Sequence, residues 1–297
     1  MRLLHVLQPF FLFATGLTYF LGAGISRYLG AELHWDWFLA GLAWMASVQL
    51  GAQAVFGYFN TMNTKQAQDQ VNKQTSKPSP SELRLSGQSV LLIALACFTA
   101  AASLTVLLIS QLQSVPVVYL IMVLGLLAGL SYTLPPFALA TRGYGELILA
   151  FSFGFLALAL GFTIQTGSMH RLILMIAFPM VVLLIAMFIA LGLRNYARDS
   201  RLSIQNLVTR MGWSSAIYFH NVFILSAYLL VGLAALLGLP GFALWAALLS
   251  LPVGLLEIWQ MWRIGQGGKP NWKALTINAA ATFSAMAYLL AYSFWTH

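Results

Sequence analysis

The residues best suited to chemistry gather in one short stretch: Asn195, Arg198 and Asp199, with Arg194 and Arg201 around them. A carboxylate is a hard oxygen ligand for Mg²⁺, and guanidinium groups grip phosphate oxygens in pairs. The stretch thus has the residue types to hold an anionic head group, with or without a metal. Arg142 and Lys65 are further cationic candidates, and Asp69 is a second carboxylate. Two other acids have plainer explanations: Glu82 completes a Ser79-x-x-Glu82 capping box, and Glu146 stands where a helix N-terminus favours negative charge. Gln49 and Gln53, four residues apart, share one helix face that leads toward Asn60. Polar groups at membrane depth either line a cavity or bond between helices, and both readings stand for this pair. Glu257 and Gln260, one turn apart near Arg263, admit the same two readings. His220, next to Asn221, is weighed as an axial ligand of a haem or chlorophyll against a hydrogen-bonded histidine near the interface. No Gly-rich phosphate loop, Cys/His zinc spacing or nucleophile elbow is present.

These candidates need apolar elements to position them. Of 297 residues, 60% are hydrophobic and 7% charged, against roughly 25% charged in a soluble domain. That excludes a soluble enzyme, and it excludes a disordered chain, which needs low hydrophobicity and high charge. The single cysteine, Cys97, excludes a disulfide scaffold and is read as inert core within an apolar run. The net charge of +8 fits a membrane protein with a basic cytoplasmic side better than a nucleic-acid binder. A spanning helix needs about 20 mostly apolar residues. Nine such runs occur, near 8–26, 37–59, 88–111, 115–133, 146–165, 171–193, 214–238, 241–262 and 273–295. The first follows Arg2 and is read as a retained span, not a cleaved signal.

Charge sorting supports the count of nine. On the side of the N-terminus lie Arg2, Lys65, Lys73, Lys77, Arg84, Arg142, Arg194, Arg198, Arg201, Arg210, Arg263, Lys269 and Lys273, which leaves Arg27 and Arg171 opposite. The positive-inside rule makes the first side cytoplasmic and puts His297 on the other. Long polar segments at 60–87, 134–145, 194–213 and 263–272 fall on the cytoplasmic side as well. Long loops commonly carry function, so a site is expected there. Trp35, Trp37, Trp213 and Trp295 sit where interfacial aromatic belts belong. Gly125-x-x-x-Gly129 permits close helix packing.

The segment Ser131-Tyr-Thr-Leu-Pro135-Pro136-Phe-Ala-Leu139-Ala-Thr-Arg142-Gly143-Tyr-Gly145-Glu146 resembles the UbiA superfamily of intramembrane prenyltransferases, closest to its menaquinone-type, dihydroxynaphthoate-prenylating branch. Val48 to Asn60 and Asn195 to Gly212 match two further motif regions. The resemblance implies an all-α, polytopic, nine-helix bundle in one domain, 1–297, with a central cavity open toward the cytoplasmic side. It implies transfer of a polyprenyl chain from its diphosphate to a quinone precursor or related ring, with Mg²⁺ bridging the diphosphate. Carried onto this chain, it gives Asp199 and Asp69 as metal ligands and Asp199 and Tyr132 at the reacting centre. Arg142, Arg198, Asn195 and Lys65 would bind the diphosphate or anionic head group, and Gln49, Gln53 and Asn60 would line the cavity.

The sequence departs from the family where its aspartates should be. The first aspartate-rich motif lies over Phe56-Gly-Tyr-Phe-Asn60, with no acid; set at Asn60 instead, its acid positions become Thr61 and Thr64. The second keeps Asn195, Arg198 and Asp199 but has Ser203 in place of its last acid. These losses open an alternative: an inactive UbiA-fold protein that binds lipid or quinone, or serves as an accessory subunit of an electron-transfer or photosynthetic complex. Its expected partners are membrane lipids and a polyprenyl diphosphate or quinone-like ligand, and not nucleic acid.

Overall fold

The computed structural model describes residues 9–72, 87–111 and 115–297, and the side chains of these except at 60–72 and 87. The described residues contain nine helices long and apolar enough to span a membrane. They are α1 (Pro9–Tyr28), α2 (Trp35–Asn72), α3 (Gly87–Gln111), α4 (Pro116–Thr133), α5 (Gly145–Thr166), α6 (Arg171–Arg201), α7 (Trp213–Leu236), α8 (Gly241–Gly265) and α9 (Trp272–Thr296). A short helix, Leu207–Met211, lies between α6 and α7. The expectations attached to the side chains of Asn60, Lys65 and Asp69, and to the capping box at Ser79 and Glu82, lie outside the described residues.

Span number and order agree with the hydropathy pattern, but several helices outrun it. The segment 60–72, expected as the start of a loop, continues α2 to Asn72. Likewise α6 reaches Arg201 and α8 reaches Gly265. Falling hydropathy marks where a chain leaves lipid, whereas a helix ends only where its backbone is broken. The stretch Thr61 to Asn72 is polar but has no Gly or Pro, and Gln, Lys, Met and Ala are good helix formers.

The core joins the first helix to the middle of the chain. Helix α1 packs against α5 and α9, α2 against α3, and α6 against α7. Where α1 crosses α5, Gly22 faces the Leu158 carbonyl and Gly161 faces the Tyr19 carbonyl so closely that neither site has room for a Cβ. Gly125 and Gly129 do the expected packing work: they meet the Trp44 ring and the Val48 side chain, which seats α4 on α2. By contrast, α3 turns Leu91, Leu92, Leu95 and Val106 outward, as a lipid-facing helix does. Cys97 rides on this helix half-buried, so its placement in the core is corrected.

Successive spans run in opposite directions, so the ends divide between two faces. One face gathers Arg142, Arg198, Arg210, Arg263 and Lys269 and is called the basic face below. The other carries Arg27, whose guanidinium lies 5.5 Å from the Trp295 ring, and Arg171 beside Gly238. Trp35 and Trp295 stack with centroids 6.1 Å apart on that face, and Trp213 meets Trp272 edge-on at 6.1 Å on the basic one. Tryptophans therefore stand at both ends of the bundle, as interfacial aromatics do.

Candidate functional site

A cleft with about 440 Å³ of unfilled space lies between α2, α4 and α5. Its walls are mostly apolar, with Met45, Val48, Ile148, Leu149 and Phe153, and its polar atoms come from Gln49, Gln53, Tyr132 and Ser152. Gly125 and Gly129, packed on Trp44 and Val48, complete the α4 wall. Gln49 is held in place by the Thr15 hydroxyl, which donates to its Oε1 at 2.8 Å. Tyr132 packs on the Phe56 ring at 5.5 Å and against Gly145, where a Cβ would come within 2.9 Å of it.

The floor of the cleft has an unusual backbone. Ser152–Leu156 forms a π-helical turn within α5. Such turns widen a helix and free a carbonyl from its regular partner. The Phe153 carbonyl accepts from the Thr18 hydroxyl at 2.7 Å, and Gly154 lets the bulge press against Val181 of α6.

At the basic end, two connections interlock. Asp199, 6% exposed, uses both carboxylate oxygens: Asn206 Nδ2 donates to Oδ2 at 2.9 Å, and Arg198 Nε donates to Oδ1 at 3.2 Å. Asn206 also caps the short helix, accepting from Thr209 N while its own N–H donates to Thr209 Oγ1. Glu146, at the start of α5, accepts from Leu207 N at 3.3 Å. Arg210 then reaches back: it donates to the Arg142 carbonyl at 2.8 Å and lies 4.2 Å from the Tyr144 ring. Gly143, with φ +78, is the residue that lets Arg210 pass, since a Cβ there would sit 2.5 Å from Arg210 Cδ. The segment after α4 and the segment after α6 are thus fastened together at three points.

A third polar cluster lies inside the bundle. His220 Nε2 and Glu257 Oε1 share a hydrogen bond of 2.8 Å, and Thr282 donates to Glu257 Oε2 at 2.7 Å, which links α7, α8 and α9. His220 Nδ1 is 3.0 Å from Asn221 Oδ1. Both ring nitrogens therefore have partners within the protein, in keeping with the hydrogen-bonded reading of His220 rather than the axial-ligand one. Glu257 belongs to this helix-to-helix contact.

Residues 11–280 match the UbiA prenyltransferase family. The chain belongs to that family. A UbiA homolog from Archaeoglobus fulgidus is similar in structure, with TM-score 0.63 at 15% identity over the whole of both chains. The same homolog bound to GPP and Mg²⁺ gives TM-score 0.63 at 16% identity, again over the whole of both chains. A digeranylgeranylglyceryl phosphate synthase gives TM-score 0.69 at 13% identity, over 99% of this chain and 98% of that one. No curated protein matches the sequence. At such identities the likeness to solved structures concerns the fold.

Within this UbiA-family bundle the expected site residues separate into two groups. Gln49, Gln53 and Tyr132 meet in the cleft. Asp199 and Arg198 form the interlock with Asn206, while Asn195 and the Arg142 side chain are exposed on the basic face. A two-metal diphosphate centre does not fit the described residues. No three His, Cys, Asp or Glu side chains converge among them, and the Asp199 carboxylate already accepts from Arg198 and Asn206, which leaves it fewer lone pairs for an ion. Sequence reasoning passed over Asn206 and Arg210, which it had recorded only as a motif position and a charge. It also passed over the π-turn, which has no local sequence signal.

Proposed function

We propose that this UbiA-family protein is a divergent aromatic prenyltransferase, moving a polyprenyl chain from its diphosphate to a quinone precursor or related ring. The observation that carries this reading is the cleft itself. Its apolar walls suit a prenyl chain, and Gln49, Gln53, Tyr132 and Ser152 set a few polar atoms among them. Pockets of this volume and lining take ligands of that kind. The 13-to-2 division of basic residues supports a cytoplasmic basic face and N-terminus, which gives a water-soluble diphosphate access from that side.

On this reading Arg198, Arg142 and Asn195, with Lys65, take the diphosphate. Arg198 is suited to it, because its side chain is 69% exposed while it also holds Asp199. Guanidinium groups stay charged and bind phosphate oxygens in pairs, so they can stabilise negative charge on a departing diphosphate. Tyr132 lines the space where the chain's reactive end would lie. One Mg²⁺ on Asp199 and Asp69 would add Lewis-acid neutralisation of the same charge.

The engagement of both Asp199 oxygens favours a second reading, in which the cleft binds an isoprenoid or quinone without turnover, alone or within a larger membrane complex. One experiment separates the two. Purified protein receives geranylgeranyl or longer diphosphates, several aromatic acceptors and Mg²⁺, and both product and bound donor are measured. Product formation that Asp199→Ala abolishes supports transfer. Saturable donor binding without product supports the second reading, and neither binding nor product overturns both.

A further inference from the structure

A second cavity, apart from the cleft, lies between α8 and α9 at the basic face. It has about 500 Å³ of unfilled space and is lined by Trp259, Gln260, Arg263, Lys269 and Asn271 among others. We propose that it binds the head group of one anionic phospholipid, with the phosphate on Arg263 and Lys269 and a head-group hydroxyl donating to Gln260.

Three observations converge on this ligand. The first is charge. Arg263 and Lys269 both line the cavity, and the only acid in α8 or α9, Glu257, is committed to His220 and Thr282. Basic pockets between spanning helices suit anionic lipid head groups.

The second is depth. Trp259 and Trp262 are about half exposed on the same stretch of α8, directly after the lipid-facing Leu255 and Leu256. Tryptophan marks the head-group level of a bilayer. The Arg263 guanidinium lies 5.0 Å from the Trp259 ring, which holds its charge at that level.

The third is an unmet acceptor. Gln260 Oε1 is buried and has no hydrogen-bond partner among the described residues. A buried amide oxygen without a donor costs free energy, and a head group that carries a hydroxyl supplies one. Asn271 spends its Oδ1 on Ala274 N, at the start of α9, which leaves its Nδ2 to donate to phosphate. A zwitterionic choline head group has no hydroxyl or N–H to donate and has no net charge, so the pocket discriminates against it.

The test is native mass spectrometry of the full-length protein with defined lipids, on wild type, the Arg263→Gln/Lys269→Gln double variant and Gln260→Leu. Phosphatidylglycerol should bind wild type at least about tenfold more tightly than phosphatidylcholine. The double variant should lose about twenty-five-fold, one factor of roughly five for each cation removed. Gln260→Leu should lose a smaller factor for phosphatidylglycerol and none for phosphatidic acid, which lacks the glycerol hydroxyls. If the double variant does not purify folded, Lys269→Gln alone, in the loop, provides the same comparison. Equal binding of the two lipids, or no loss in the variants, overturns the proposal. Displacement of the lipid by millimolar inorganic phosphate, with the same dependence on the variants, shows a free-phosphate site and overturns the lipid assignment. None of these outcomes depends on donor binding in the cleft, so failure here is distinguishable from failure of the prenyltransferase reading.

Discussion

Replacing His220 by Leu should destabilise the bundle more than replacing Glu257 by Met. Both side chains are out of contact with solvent, at 0% and 1% exposure, and sit among α7, α8 and α9. Removing His220 leaves Glu257 with the Thr282 hydroxyl as its remaining partner, and breaking a buried acid–base pair by taking away one member costs about 3–5 kcal/mol. Removing Glu257 leaves an imidazole nitrogen and the Thr282 hydroxyl without their partner, at roughly 1–3 kcal/mol for a buried polar group left unpaired. The double variant removes both members and replaces them with apolar groups of similar size, a change that is often neutral. In a thermal melt in detergent or nanodiscs, His220→Leu should lower the midpoint by on the order of 10 °C, using a few degrees per kcal/mol for a chain of this size. The double variant should recover most of that loss, giving a coupling of roughly 3–8 kcal/mol in a double-mutant cycle, the sum of the two single losses less the small loss that remains. Midpoints for both single variants within about 2 °C of wild type would refute the reasoning, since a buried interaction of this strength shifts the melt by more.

Other expectations concern the cleft and the interlock. Asn206→Ala removes a helix cap and a donor to Asp199, worth about 1 and 1.5–3 kcal/mol respectively, so limited proteolysis should cut between residues 199 and 212 faster than in wild type. Gly143→Ala forces φ +78 on a residue with a Cβ and crowds Arg210, so the same proteolysis assay should show the interlock loosened, with a smaller change in the global melt. Thr18→Val keeps the shape of the side chain but deprives the Phe153 carbonyl of its donor, and the melt should register roughly 1–3 kcal/mol.

Span count and order were legible because lipid imposes one rule, about 20 apolar residues per crossing, and sequence displays it directly. Helix ends were less legible, as Thr61 to Asn72 shows, since polar residues without Gly or Pro can leave the membrane and remain helical. Helix periodicity put Gln49 and Gln53 on one face but left a cavity wall and an interhelical bond both open; the two line the cleft with Tyr132, and Gln49 also bonds to Thr15 of α1. The fastening of Asp199 was not legible, because it depends on Asn206 folding back seven residues later, through a turn in which Ser203 adopts φ 53. His220 and Glu257 were each singled out, but 37 residues separate them, and only the packing of α7 on α8 makes them partners.

The most direct test of the account is to locate a bound prenyl chain. A geranylgeranyl diphosphate analogue bearing a diazirine near its tail, photolysed on the purified protein and mapped by peptide mass spectrometry, reports which helices surround it. Labelling of α2, α4 and α5 around Met45, Gln49, Ile148 and Leu149, suppressed by unmodified donor, is the predicted result. Labelling confined to lipid-facing positions such as Leu92 and Leu95 of α3, and unaffected by competitor, would contradict it.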